Sequence, residues 1–298
     1  MLSDNARAAL FMLVSMAGFV VNDTFVKLAA DHISPPQIMA VRGVVASLLL
    51  FLLAWRMGAL RPLAMAMKPR LLVRTIADIT ATLSYITALS HMPIANASAI
   101  FQALPLTVTL GAALFLGEPV GWRRWAAIAV GFCGVLLIIR PGMDSFRPAS
   151  LFAVQGVIFL GIRDLATRRI PKTISSMRLS TYAFAVIVPT GLVLMAVVGD
   201  RFVLPGTTDS LRVAGSIVAG VLGYYALVTA TRLGDMSHIA PFRYSRLVFA
   251  LIVGVTVFGE RPDAATLFGA AIIVGSGTYA ALREGQRRRA SLAAAGAI

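Results

Sequence analysis

Runs of about 20 residues with almost no charge recur along this chain, each long enough to cross about 30 Å of hydrocarbon as a helix. They leave little sequence between them. Ten such spans are expected, approximately Arg7–Ala29, Pro36–Trp55, Leu71–Ser90, Ile94–Leu116, Trp122–Ile139, Ser150–Ala166, Met177–Gly199, Leu211–Thr231, Ser237–Phe258 and Ala264–Leu282. Charged residues make up 13% of the chain, about half the share of an ordinary soluble domain. Period-2 alternation is absent, which excludes barrel strands. The connections are too short to hold a soluble domain. The first span lacks an Ala-x-Ala site before a polar mature region, so it is expected to stay attached rather than be cleaved.

The 27 Lys and Arg residues set an expected orientation. With the N-terminus inside, 17 of them fall at the inner ends of spans and in the loops and tail on that side, among them Arg7, Arg56, Arg61, Lys68, Arg123, Arg124, Arg168, Arg169, Lys172 and Arg287 to Arg289. Only Lys27, Arg140, Arg147, Arg201, Arg212 and Arg261 fall on the other side. Positive charge collects on the cytoplasmic side, so both termini are expected there, and the membrane is taken as the plasma (bacterial inner) membrane. Trp55, Trp122 and Trp125 fall at inner helix ends, where an aromatic belt would place them. The net charge of +14 is therefore read as topology and not as nucleic-acid binding.

Asp23 and Lys27 in the first span recur as Asp164 and Arg168, 141 residues later. Ile33-Ser34 matches Ile174-Ser175 at the same offset, and Gly117-Glu118 matches Gly259-Glu260 at 142. Five spans per repeat is an odd number, so the second copy enters the membrane from the opposite side. The expected fold is all-α: two inverted five-helix repeats, residues 1–141 and 142–284, followed by a basic and then disordered cytosolic tail over 285–298. A substrate site is expected near midplane, around a central cavity.

Each half closes its fourth helix with a Gly-Glu step, in Phe115-Leu116-Gly117-Glu118-Pro119 and Val257-Phe258-Gly259-Glu260-Arg261-Pro262, before a fifth helix that is Gly-rich. In these features the chain resembles the EamA branch of the drug/metabolite transporter superfamily, over nearly its whole length. The resemblance implies alternating access, a cavity lined mainly by the first four helices of each half, and more peripheral fifth helices. It also implies small organic solutes. Amino acids and their derivatives lead, with uptake of a cofactor-like solute such as S-adenosylmethionine or riboflavin as the alternative. Fold alone does not carry the substrate across.

Charge inside a bilayer is the best pointer to lining residues, since an Arg or Asp at a helix centre costs roughly 2.5–3.5 kcal/mol on insertion scales. Arg246 lies nine residues past Ser237, about 14 Å at 1.5 Å per residue, and Arg243 is three residues before it on the same face. Together they suit a carboxylate or phosphate, with Tyr244 and His238 able to add hydrogen bonds. The matching stretch of the fourth span is neutral, with Phe101 and Gln102. With Tyr85 these make a second wall for an amphipathic solute bearing an acidic group.

Asp23 with Lys27 and Asp164 with Arg168 have the spacing of i,i+4 pairs near opposite membrane faces, read as gates, proton sites or helix-end salt bridges. Asp78 with Arg74 is a third pair. Arg42 and Arg163 are placed to neutralise Asp23 and Asp164, respectively or crosswise. Pro105 and Pro241, on the fourth and ninth spans, each remove a backbone bond and are expected to act as hinges.

Catalytic readings find no support. There is no nucleotide-cradling Gly-x-x-x-x-Gly-Lys-Ser/Thr loop and no His-Glu-x-x-His pair. Cys133 stands alone, and His32, His91 and His238 lack ligand spacing. No enzyme activity, metal or cofactor is expected. The partners are then the lipid bilayer and the solute, the protein being taken as a monomer driven by gradients. A channel and a receptor-like membrane protein are the competing classes.

Overall fold

In lipid every backbone amide must find its partner inside the chain, which leaves only helices to a sequence without barrel-like alternation. The computed structural model describes residues 4–56, 69–118, 120–143, 146–170, 176–233 and 239–295, and every regular element among them is helical. These are α1 (Asp4–Ala29), α2 (Pro35–Arg56), α3 (Pro69–His91), α4 (Ile94–Phe101), α5 (Leu104–Leu116), α6 (Trp122–Ile139), α7 (Ala149–Arg168), α8 (Ser176–Val198) and α9 (Thr207–Leu233). A 3-10 turn (Ala240–Tyr244) then leads into α10 (Ser245–Phe258), and α11 (Ala264–Ala295) follows. With α4 and α5 taken as one crossing, and the 3-10 turn with α10 as another, the described helices make ten. Among the described residues eight segments are long and apolar enough to cross a membrane, and Val186–Val198 of α8 is a shorter apolar stretch. The chain is a multi-pass membrane protein.

Two spans that read as continuous in the sequence are broken. The fourth is interrupted at Gln102 and Ala103, and the ninth opens on the 3-10 turn. Each break is followed at once by a proline in the first turn of the next segment, Pro105 in α5 and Pro241 in the turn. A proline suits that position because its missing N–H has no helical partner to lose. Pro189 stays inside α8. The last helix, α11, runs through Ala295. Its final residues are mostly alanine and arginine, both strong helix formers.

The Gly-Glu steps are helix stops. Gly117 and Gly259 both take left-handed backbone, φ 66° and 62°, where a Cβ would be strained. The following amides reach back to close the last turn, Glu118 N to Ala112 O at 3.2 Å and Glu260 N to Gly254 O at 2.8 Å.

The described residues group into two compact units, each drawing helices from both sequence halves: Met1–Asn22, Pro93–Arg147 and Val218–Ile298 in one, Asp23–Met92 and Pro148–Ile217 in the other. In the first, α6 packs along α11 and α4 along α10. Gly134 and Gly269 bring α6 and α11 into contact, since a Cβ on Gly134 would lie 2.8 Å from the Gly269 carbonyl oxygen. The N-terminal part of α1 meets the C-terminal part of α9 through Met12, Met16 and Ala230, and a Cβ on Gly18 would lie 3.0 Å from the Gly223 Cα. In the second unit α3 packs along α7 and α2 along α8.

Candidate functional site

The first unit holds the expected binding residues around the two helix breaks. Gln102 is 8% exposed, and its side-chain amide donates to the Arg243 carbonyl at 3.1 Å. The break in the fourth span therefore fastens the 3-10 turn that carries Arg243 and Tyr244. Phe101, on the same break, is also buried. One turn past Arg243, the Arg246 guanidinium carbon lies 5.9 Å from the centre of the Phe19 ring, a cation–π distance.

Tyr244 is buried, and its hydroxyl has no hydrogen-bond partner among the described residues. Gly277 of α11 makes room for it, because a Cβ there would lie 1.9 Å from that oxygen. Ser98, one turn before Gln102, is fully buried and its hydroxyl is likewise without a partner among the described residues. A buried donor without a partner costs about 1–3 kcal/mol, so each of these hydroxyls is an unmet hydrogen bond within the first unit. His238 lies outside the described residues.

The second unit holds two charge clusters. Asp23 is 1% exposed and accepts the Tyr85 hydroxyl at 2.5 Å. Arg42 of α2 is close enough to interact electrostatically with both. Tyr85, expected as a wall of the solute site, thus spends its hydroxyl on an intramembrane carboxylate. Lys27 donates to the carbonyls of Leu89, at 3.2 Å, and Met92, at the C-terminal end of α3, where a cation meets the negative end of the helix dipole.

The other cluster joins α3 to α7. Arg163 donates to Asp164 through Nε and Nη2 at 2.9 and 2.7 Å, and to Asp78 through Nη1 at 3.1 Å. Arg74 lies 4.0 Å from Asp78 and donates from Nε to the Thr167 hydroxyl at 3.2 Å. Among the described side chains two carboxylates and two guanidiniums balance in this half-buried cluster. Arg168 ends α7, and its side chain lies outside the described residues.

Three contributors were not legible beforehand. Ser98 is one serine in an apolar run, and Phe19 one aromatic among many. Glu260 was visible in its Gly-Glu step, yet its partner was not: Oε1 accepts the Ile94 amide at 2.8 Å, at the N-terminus of α4. Outside the spans, Arg140 of the α6 end pairs with Asp263, which also accepts the Thr266 amide at 2.9 Å at the start of α11. The Arg140 guanidinium first, and Thr266 second, bring the Asp263 carboxyl down from 3.8 to about 2.

Comparison with known proteins accounts for almost the whole chain. The EamA-like transporter family matches twice, over residues 6–140 and 147–280. A riboflavin transporter of Vibrio cholerae is 27% identical over 286 residues, 95% of each chain. An S-adenosylmethionine uptake transporter of Rickettsia conorii is 30% identical over 193 residues, 64% of each. The pseudopaline exporter CntI of Pseudomonas aeruginosa is 30% identical over 260 residues, 86% of this chain and 89% of that one. A crystal structure 18% identical covers 95% of this chain and 98% of its own with a TM-score of 0.63, which shows a shared fold.

Proposed function

Since the chain belongs to the EamA-like transporter family and is a membrane transporter, we propose that it carries a cofactor-sized amphipathic solute with an acidic group by alternating access. The observation that carries this reading is the arginine-bearing turn held by Gln102. Arg243 and Arg246 supply cations for an acid, the Tyr244 and Ser98 hydroxyls supply hydrogen bonds, and Phe101 and Phe19 supply aromatic surface. Relatives named for riboflavin and S-adenosylmethionine favour a cofactor-sized solute over free amino acids, while the acidic group is argued from the two arginines alone.

Two inverted repeats fit the helix pairing. Shifted by 141 or 142 residues, Asn22 maps onto Arg163 and Gly220 onto Asp78. Asn22 and Gly220 are neighbours across α1 and α9, as Arg163 and Asp78 are across α3 and α7. In this reading each contact is a gate, one closed by glycine packing and the other by the Arg74–Asp78–Arg163–Asp164 network. Asp23 with Lys27 and Asp164 with Arg168 stand at those gates, and Pro105 and Pro241 begin the segments that swing. Both termini face the cytoplasm.

Proteoliposomes loaded with labelled riboflavin, S-adenosylmethionine or amino acids test the proposal. Saturable flux of one cofactor, lost in Arg246→Ala, is expected. Flux of amino acids alone would overturn the choice of solute.

A further inference from the structure

A groove of about 290 Å³ opens between α6 and α11. Trp122, Arg123, Ala126, Ala127, Val130, Ser276 and Tyr279 line it, with no carboxylate among them. The two helices run antiparallel: Gly131 meets Ser276, Gly134 meets Gly269, and Arg140 pairs with Asp263. The start of α6 therefore lies at the same end as Tyr279 and Arg283 of α11.

At that end two cations stand over aromatic rings. The Arg123 guanidinium carbon is 5.4 Å from the centre of the Trp122 ring, and that of Arg283 is 5.9 Å from the Tyr279 ring. Further along, the floor is apolar, with Ala126 and Ala127 in one turn of α6 and Val130 in the next. Trp122 is 74% exposed and opens the helix, the position of a residue in an interfacial aromatic belt. Arg287, Arg288 and Arg289 follow on the same helix.

A cationic, aromatic-rimmed mouth at the interface, continued by an apolar trough into the span, matches an amphiphile whose phosphate stays at headgroup level while a chain descends. We propose that this groove binds one anionic phospholipid, its phosphate between Arg123 and Arg283 and an acyl chain along Ala126 and Val130. Charge complementarity in a surface that faces lipid carries this assignment, whichever solute the transporter moves.

The protein reconstituted in nanodiscs of phosphatidylcholine with a minor fraction of phosphatidylglycerol, then released for native mass spectrometry, tests this. The expected result is one retained phosphatidylglycerol per chain, saturating at that stoichiometry and not displaced by glycerol phosphate. R123Q/R283Q lowers retention by roughly tenfold or more. A126W, which fills the exposed trough and leaves both arginines, lowers it similarly. R7Q/R56Q, an equal loss of basic charge elsewhere, leaves it unchanged. Retention equal in all variants overturns the proposal. So does equal loss in R7Q/R56Q, which would mean diffuse attraction to the membrane surface.

Discussion

Glu260, the residue after the glycine that ends α10, holds the first turn of α4: its carboxylate accepts the Ile94 amide at 2.8 Å and lies 3.5 Å from the Ala95 amide. Ile94 is fully buried, so no water replaces that acceptor. A helix N-terminus presents free N–H groups and a partial positive charge, and a carboxylate answers both. Glu260→Ala is expected to destabilise the protein by about 1–3 kcal/mol, with Glu260→Gln losing less. Thermal unfolding in detergent measures both. Equal melting temperatures for all three proteins would remove the capping role.

Gln102 acts on the arginine turn through a main-chain oxygen, so its loss should loosen the turn without removing a charge. Gln102→Ala is expected to weaken solute affinity while the maximal rate changes less. Arg246→Ala should reduce transport efficiency by roughly tenfold to a hundredfold, the range for a charged hydrogen bond. Initial rates against solute concentration separate the two effects.

The Asp78–Arg163 contact is semi-buried, and removing one partner leaves the other charged in a poor medium. Arg163→Gln or Asp78→Asn alone is expected to cost up to about 3–5 kcal/mol, discounted for partial exposure. Asp78→Asn with Arg163→Gln should cost less than the sum. A double-mutant cycle on stability checks the coupling, and additive effects would sever the link between the two residues.

Asp263 offers a pH signature outside the membrane. Its folded carboxyl, at about 2, lies below the ordinary 3.8, so the native state binds fewer protons and gains stability above pH 4. That contribution is expected to vanish as pH falls from about 4 to about 2, and to be absent in Asp263→Asn. Melting curves of the two proteins should therefore be offset at neutral pH and converge in acid. A constant offset would deny the pairing with Arg140.

Glycines in α6 and α11 differ in what they face. A Cβ on Gly134 meets a carbonyl oxygen at 2.8 Å, whereas one on Gly275 meets nothing within 4 Å. Gly134→Ala is expected to destabilise the pair, and Gly275→Ala to be neutral or to stabilise by up to about 1 kcal/mol through helix propensity. Thermal melting distinguishes them, and the same sign for both would contradict the packing described.

Ten helices, the Gly-Glu steps and the intramembrane charges are legible in the linear chain, because hydropathy over 20 residues, a lone glycine at a helix end and a buried cation are local facts about the solvent each segment must meet, and the transporter class is legible through the family resemblance that the Gly-Glu steps carry. Partnerships are not local. Tyr85 finds Asp23 across 62 residues, Gln102 finds the Arg243 carbonyl across 141, and Glu260 finds Ile94 across 166. Each depends on the register in which two helices dock, and that register is chosen by small-residue contacts such as Gly134 with Gly269. The breaks at Gln102 and at the 3-10 turn belong to the same class. A proline announces that a helix is weakened nearby, and packing against another helix decides which residue carries the interruption.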